Sequence, residues 1–285
     1  MPAPGSISEY YIHLQHAVNR HLELCLGQAE KETIHRLRLS IKKLSAFNKL
    51  AEYLCLSDFE GHIQNVKKIG RLYTLAGQLR DTQVQMHLLA LAEGRTESDY
   101  SKFSKWLLSR ENKRISRFVQ KSQNPRLAPV PHIATTQISI KLAMLSQQTL
   151  VDNTATFLSG LLVKAKKLST GSIPERDLHR IRIIIKQIRY VSQIVKHCYS
   201  DFDFHEISLE SLRKIETAAG KWHDYLVRIE LLERFIKKHE HTALSDSIKY
   251  QAFLTDCKKE LELAYKNACR VVKHEMKTKI IDPEN

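Results

Sequence analysis

Apolar residues recur along this chain every three or four positions almost from end to end, and strand-like alternation bounded by turn signals is nearly absent. The pattern predicts an all-α fold. Helices are expected near 7–25, 31–56, 58–94, 98–123, 135–168, 175–199, 204–239 and 243–279. All 7 Pro fall outside these segments, as do Gly5, Gly27 and Gly171 among the 9 Gly. "QNPRLAPVPH" carries three prolines and cannot continue a helix, so it is the expected linker. "STGSIPE" marks a second break, with Pro174 suited to a first helical turn.

The polar positions repeat as well. "HRLRLSIKKL" from His35 and "HRIRIIIKQI" from His179 align at an offset of 144 residues. "RLYTLAGQLRDTQVQMHLL" from Arg71 aligns with "KIETAAGKWHDYLVRIELL" from Lys214 at an offset of 143. Two blocks and the spacing between them are thus preserved, the signature of an internal duplication. Two four-helix bundles related by a pseudo-twofold axis are expected, over 1–123 and 136–285, with a proline-rich linker over 124–135.

On a helical wheel, Arg38, Lys42 and Lys49 fall within about 60° of His35. Leu37, Ile41, Leu44, Phe47 and Ala51 fall opposite. The second copy sets His179, Arg182, Lys186 and Arg189 against Ile181, Ile185, Ile188, Val191 and Val195. The stripe from His35 to Lys49 would run roughly 20 Å along its helix. The next helix of each copy carries a matching stripe, Lys67, Arg71, Thr74, Gln78 and Asp81 in one and Lys214, Thr217, Lys221 and Asp224 in the other. Gly77 and Gly220 occupy equivalent mid-helix places and are expected to permit close helix–helix approach, since glycine costs a helix interior about 1 kcal/mol relative to Ala. Asp81 and Asp224, single carboxylates in a basic setting, are expected to orient a neighbouring Arg or Lys.

Charge then narrows the function. Lys and Arg total 45 against 31 acids, a net charge of +14 with the 14 histidines neutral. Such an excess points to a polyanionic partner, whether nucleic acid, an anionic membrane or a phosphate polymer. A solvated basic face ordinarily mixes Glu with Lys in i, i+4 pairs. Here no acid lies between Thr33 and Ala51 or between Leu178 and Tyr199, so the cations repel unless an outside anion joins them. The two histidines lead matching cation stripes and read as phosphate-contacting donors, better protonated near pH 6 than pH 8.

Other classes fit less well. No stretch approaches the roughly 18 apolar residues of a membrane span. The opening "MPAPGSISEYYIHLQH" lacks a basic n-region and an apolar h-region, so no secretory leader is expected. Five scattered cysteines without C-x-x-C suggest reduced thiols of a cytoplasmic protein rather than disulfides or a zinc site. No H-E-x-x-H, Gly-rich phosphate loop or G-x-S-x-G motif occurs, and the stripes lack the clustered carboxylates of metal-dependent phosphoryl chemistry. Neither catalytic residues, cofactor nor metal are expected. The competing readings are a nucleic-acid binder, an enzyme of phosphate compounds, and a regulatory scaffold docking on an acidic protein or anionic lipid.

The four blocks, "HRLRLSIKKL" and "LAGQLRDTQV" in the first copy, "HRIRIIIKQIRY" and "AAGKWHD" in the second, resemble the conserved histidine α-helical domain, or CHAD, family over nearly the whole chain. The resemblance implies a basic pore or cleft that binds inorganic polyphosphate, with nucleic acid as a non-specific rival and polyphosphate granules as a location. Position by position it implies His35, Arg38, Lys42, Arg71, His179, Arg182, Lys186, Arg189, Lys214 and Lys221 as binding residues, and the stripes add Lys49 and Lys67. This chain has Ser45 where the family pattern has Arg, matched in the second copy by Arg189. Gln187 replaces a frequent basic residue, and Ala46 stands against Tyr190. Unequal halves are therefore expected, with the helix led by His179 the stronger. The E-x-E-x-K signature of the triphosphate-tunnel enzymes that often accompany the family is absent, so the chain resembles a stand-alone binding module.

Overall fold

The computed structural model describes residues 6–54, 60–94, 99–123, 132–239 and 244–277. Every regular element among them is α-helical: α1 (Ile7–Gly27), α2 (Lys31–Tyr53), α3 (Glu60–Glu93), α4 (Ser101–Ser122), α5 (His132–Met144), α6 (Gln147–Leu168), α7 (Glu175–Cys198), α8 (Leu209–Lys238) and α9 (Leu244–Lys277).

Short polar side chains set several of the helix starts. Ser6 Oγ accepts from the Glu9 amide at 3.3 Å while Glu9 Oε2 accepts from the Ser6 amide at 2.9 Å, a reciprocal capping box at the head of α1. Ser208 caps α8 by accepting from the Ser211 amide at 3.0 Å. Pro174 takes the N-cap of α7, Glu175 and Asp177 follow in its first turn, and Lys196 and His197 occupy its last, an order that complements the helix dipole.

Three boundaries depart from the pattern of the sequence. The single helix expected over 135–168 is two, because Ser146 accepts from the Thr149 amide at 3.1 Å and starts α6 afresh. Residues 132–135 of the expected linker are helical, and 124–131 lie outside the described residues. The helix expected from 204 begins at Leu209, since Phe202, Phe204 and Ile207 are buried from irregular chain.

The apolar faces read from the wheel are the core. Leu37, Ile41, Leu44, Phe47 and Ala51 of α2, and Ile181, Ile185, Ile188, Val191 and Val195 of α7, are all buried. They belong to one apolar cluster that draws on helices from α1 to α9, so the two sequence halves share a core. A second cluster joins Leu89 of α3, Phe103 and Leu107 of α4, Leu232 and Phe235 of α8, and Phe253 and Leu254 of α9. Cys25, Cys198, Cys257 and Cys269 are free thiols, and Cys55 lies outside the described residues. No helix among the described residues is long and apolar enough to cross a membrane.

Four helices make the centre of the molecule. α2 packs on α3 and α7 on α8, and the two pairs meet through α2 against α7 and α3 against α8. At the α3–α8 meeting, Gln85 Nε2 donates to the Asp224 carbonyl at 2.8 Å, and Arg228 Nε donates to Gln85 Oε1 at 3.2 Å. The remaining helices pack around this centre, with α1 on α2, α6 on α7, α4 on α3 and α9 on α8.

Candidate anion-binding cleft

With their apolar faces turned into the core, α2 and α7 present their cation stripes to the space bounded by α3 and α8. The result is a cleft of about 710 Å³ walled by all four helices. From α2 it takes His35, Arg38 and Lys42, and from α7 His179, Arg182, Lys186 and Arg189. Seven of the twelve residues expected at the site therefore converge. Lys49 borders an adjoining pocket of about 270 Å³, whose walls include the same Lys42, Arg182 and Lys186. Its Nζ donates to Gln187 Oε1 at 3.3 Å, across the α2–α7 contact.

The other four do not line the cleft. Lys67 and Arg71 are exposed near the start of α3, and Lys221 is exposed on α8. Lys214 pairs instead with Glu210 at 3.0 Å and Glu275 at 3.6 Å. The faces of α3 and α8 that reach the cleft are turned by about one residue from the expected stripes. They bring in Tyr73, Gly77 and Arg80 on α3, and Glu216 and His223 on α8, together with the expected Thr74, Gln78, Asp81 and Asp224. Arg80 and His223 align in the 143-residue repeat, immediately before Asp81 and Asp224. That placement was the available sequence signal for both.

Arg38 shows why α3 carries glycine at 77. Its guanidinium lies over the Tyr73 ring, 4.5 Å from the centroid, and Nη1 donates to the Tyr73 carbonyl at 3.2 Å. A Cβ on residue 77 would collide with that same Nη1. Gly77 thus makes room for a side chain, and a Cβ on Gly220 would meet nothing within 4 Å. At neither position would a Cβ meet the backbone of another helix, so the close helix–helix approach expected there is not what these glycines serve.

Arg189 is held from inside the protein. Its Nε donates to Glu216 Oε2 at 2.6 Å, its Nη1 to Gln193 Oε1 at 3.2 Å, and its guanidinium covers Tyr190 at 4.4 Å. Lys186 Nζ lies 3.8 Å from the other Glu216 oxygen. The second copy thus adds both an extra cation and the acid that neutralises it. At the first-copy position matching Glu216 stands the uncharged Tyr73.

Six cations face three carboxylates around the cleft, Arg38, Lys42, Arg80, Arg182, Lys186 and Arg189 against Asp81, Glu216 and Asp224. Arg182 Nε and Arg80 Nη1 are buried without a hydrogen-bond acceptor among the described residues. Buried donors of this kind are costly unless a partner arrives. The crowding also perturbs titration. Burial, then Arg182 and Lys42, pull Lys186 down to about 7. Burial, then Arg38 and Arg182, pull Lys42 down to about 8. Burial and Arg80 hold His35 below its ordinary value, burial and Arg182 do the same to His179, and burial with Arg182 takes His223 to about 4. With no anion bound, His35 and His179 are thus held toward the neutral form, and the two lysines beside them lose part of their charge as pH rises. Asp81 and Asp224 are both raised by burial, against the pull of Arg38 on Asp81 and of Arg182 on both. Among the described residues no group of three His, Cys, Asp or Glu side chains is arranged to hold a metal ion.

Comparison with known proteins fits this geometry. The family described as "CHAD domain" matches residues 11–233. The chain is similar in structure to the CHAD domain from the plant Ricinus communis, with a TM-score of 0.72 at 17% identity, covering 98% of this chain and 94% of that one. It is also similar to PptA from Streptomyces chartreusis, with a TM-score of 0.69 at 15% identity, covering 96% of this chain and 100% of the other. No curated protein sequence matches it.

Proposed function

The chain belongs to the CHAD domain family, and on that premise we propose that it binds inorganic polyphosphate in the four-helix cleft without transforming it. CHAD domains are associated with polyphosphate binding. The observation that carries the reading is the cleft itself, with six cations against three carboxylates and two buried guanidinium nitrogens lacking acceptors among the described residues. A chain with about one negative charge per phosphate supplies acceptors at every step. Arg38 and Arg182 can each engage two oxygens through a planar fork, and Lys42 and Lys186 act as compact point charges between them. Each contact releases condensed counterions, so affinity falls with salt.

The reading includes the duplication. We take α1–α4 and α5–α9 as two copies of one bundle, with α2 and α3 facing α7 and α8 across a near-twofold axis through the cleft. The pairing of α2 with α7 and of α3 with α8, at equivalent places in the repeat, supports it. A binding rather than catalytic role is supported by Glu216, whose carboxylate is occupied by Arg189, and by Asp81 and Asp224, which lie among guanidinium groups.

The test is long-chain polyphosphate binding by the wild type and by a variant combining Arg38→Glu, Lys42→Glu, Arg182→Glu and Lys186→Glu. Binding should be lost in the variant, and single-stranded RNA at equal phosphate concentration should fail to displace polyphosphate from the wild type. Unchanged affinity in the variant would remove the site, and displacement by RNA would remove the specificity. Phosphate release from polyphosphate with divalent metal would overturn the non-catalytic reading.

A further inference from the structure

The pocket beside the cleft differs from it in chemistry. It shares Lys42, Tyr73, Arg182, Ile183, Lys186 and Tyr190 with the cleft, and its own walls add Ser45, Ala46, Lys49 and Gln187. Apart from Lys49, whose Nζ donates to Gln187 Oε1, the surface away from the cleft cations is uncharged, with two tyrosine rings, the Ser45 hydroxyl and the Gln187 amide. The pocket exists because two α2 residues are small. At the 144-residue offset Ser45 aligns with Arg189 and Ala46 with Tyr190, and side chains of that size at 45 and 46 would occupy its roughly 270 Å³.

A bare phosphate chain gains little from such a surface. Beside Ala46 and Ile183 it would be desolvated against apolar surface, while Lys49 donates to Gln187 and Arg38 and Arg189 are stacked on the two tyrosine rings. An apolar pocket with a few directed polar groups is instead the ordinary form of a small-molecule site, and pocket and cleft each lie near or within its usual range of about 300–1,000 Å³. The shared Lys42, Arg182 and Lys186 mark where the charge of the cleft meets that surface. A ligand suited to both parts is anionic at one end and flat, uncharged and hydrogen-bonding at the other.

We propose that the pocket seats the base of a nucleoside polyphosphate whose phosphate chain lies in the basic cleft. The inference rests on the cleft being a polyphosphate site. The base lies against Tyr73, Tyr190 and Ile183, and the Ser45 hydroxyl and Gln187 amide meet its edge. The phosphates pass between Lys42, Arg182 and Lys186 toward Arg38.

Calorimetric titration without divalent metal separates head group from phosphates. Inorganic triphosphate carries more charge than a nucleoside triphosphate, so electrostatics alone favours the inorganic ligand. The pocket should reverse that order, with adenosine triphosphate binding at least about tenfold tighter, or roughly 1.4 kcal/mol. Ser45→Leu fills the pocket without changing charge and should erase this advantage while triphosphate affinity stays put. Ala46→Val, a smaller filler, should reduce it in part. Irradiation of an azidoadenosine triphosphate complex should label peptides of α2 and α7, a readout that needs no variant. Equal or tighter binding of inorganic triphosphate to the wild type overturns the proposal, as does an advantage that survives in a folded Ser45→Leu protein. If long-chain polyphosphate still binds when either occurs, only the pocket assignment falls. If long-chain polyphosphate does not bind, the cleft assignment falls with it.

Discussion

Raising the pH from about 6.5 to about 8.5 should weaken polyphosphate binding by up to about 100-fold, with two lysines carrying the effect. Lys186 titrates at about 7 and Lys42 at about 8. Across that interval the protonated fraction of Lys186 falls about 25-fold and that of Lys42 about fourfold. A bound polyanion holds both amines protonated, so the product of the two factors is the upper limit on lost affinity. Near pH 7.5 binding should take up about one proton per site. The free protein obeys the opposite sign. Its lysine values lie below the ~10.4 of an unfolded lysine, so the unfolded chain binds more protons from about pH 7 upward. Folding stability without ligand therefore rises with pH across that window, while affinity falls. Fluorescence anisotropy with labelled polyphosphate at constant ionic strength measures the affinity, and calorimetry in buffers of different ionisation enthalpy counts the protons. Lys186→Arg keeps the charge but does not titrate, and should cut the loss to about fourfold, leaving the Lys42 contribution. His35→Gln with His179→Gln should leave the steepness unchanged. A pH profile that survives Lys186→Arg but disappears in the histidine double variant would refute the assignment.

Gly77→Ala should displace the Arg38 guanidinium from Tyr73 and weaken polyphosphate binding several-fold without lowering the melting temperature. Gly220→Ala meets no neighbour and should add about 1 kcal/mol of stability with binding unchanged, both read by thermal melts and anisotropy. Glu216→Gln removes the acid that holds Arg189 and should cost about 1–3 kcal/mol in urea unfolding, while raising affinity and the salt slope near pH 6.5. Ser146→Ala removes the cap that starts α6 and should destabilise the fold by about 1 kcal/mol, again by urea unfolding, with no change in binding.

Periodicity alone determined the all-α class and the buried faces of α2 and α7, because which side of a helix meets the core is a local property of spacing. The repeat also identified the stripes led by His35 and His179, since two cation rows without interleaved acids are visible in one dimension. The break at Ser146 was legible in principle, as a capping serine opening the polar run 146–149, but helix-like apolar spacing on both sides concealed it.

Only tertiary packing decided which part of each stripe becomes a site. α3 and α8 converge on the stripes over a limited length, so Lys67, Arg71, Lys214 and Lys221 stay outside while Arg80 and His223, one position from the expected face, come in. The partners across the cleft were equally hidden. Glu216 lies 27 residues from Arg189, and no helical wheel relates separate helices. The depressed lysines follow from the same cause. Lys42 and Lys186 lose their full charge because burial brings Arg38 and Arg182 against them, and burial is a property of the assembled helices rather than of either sequence block.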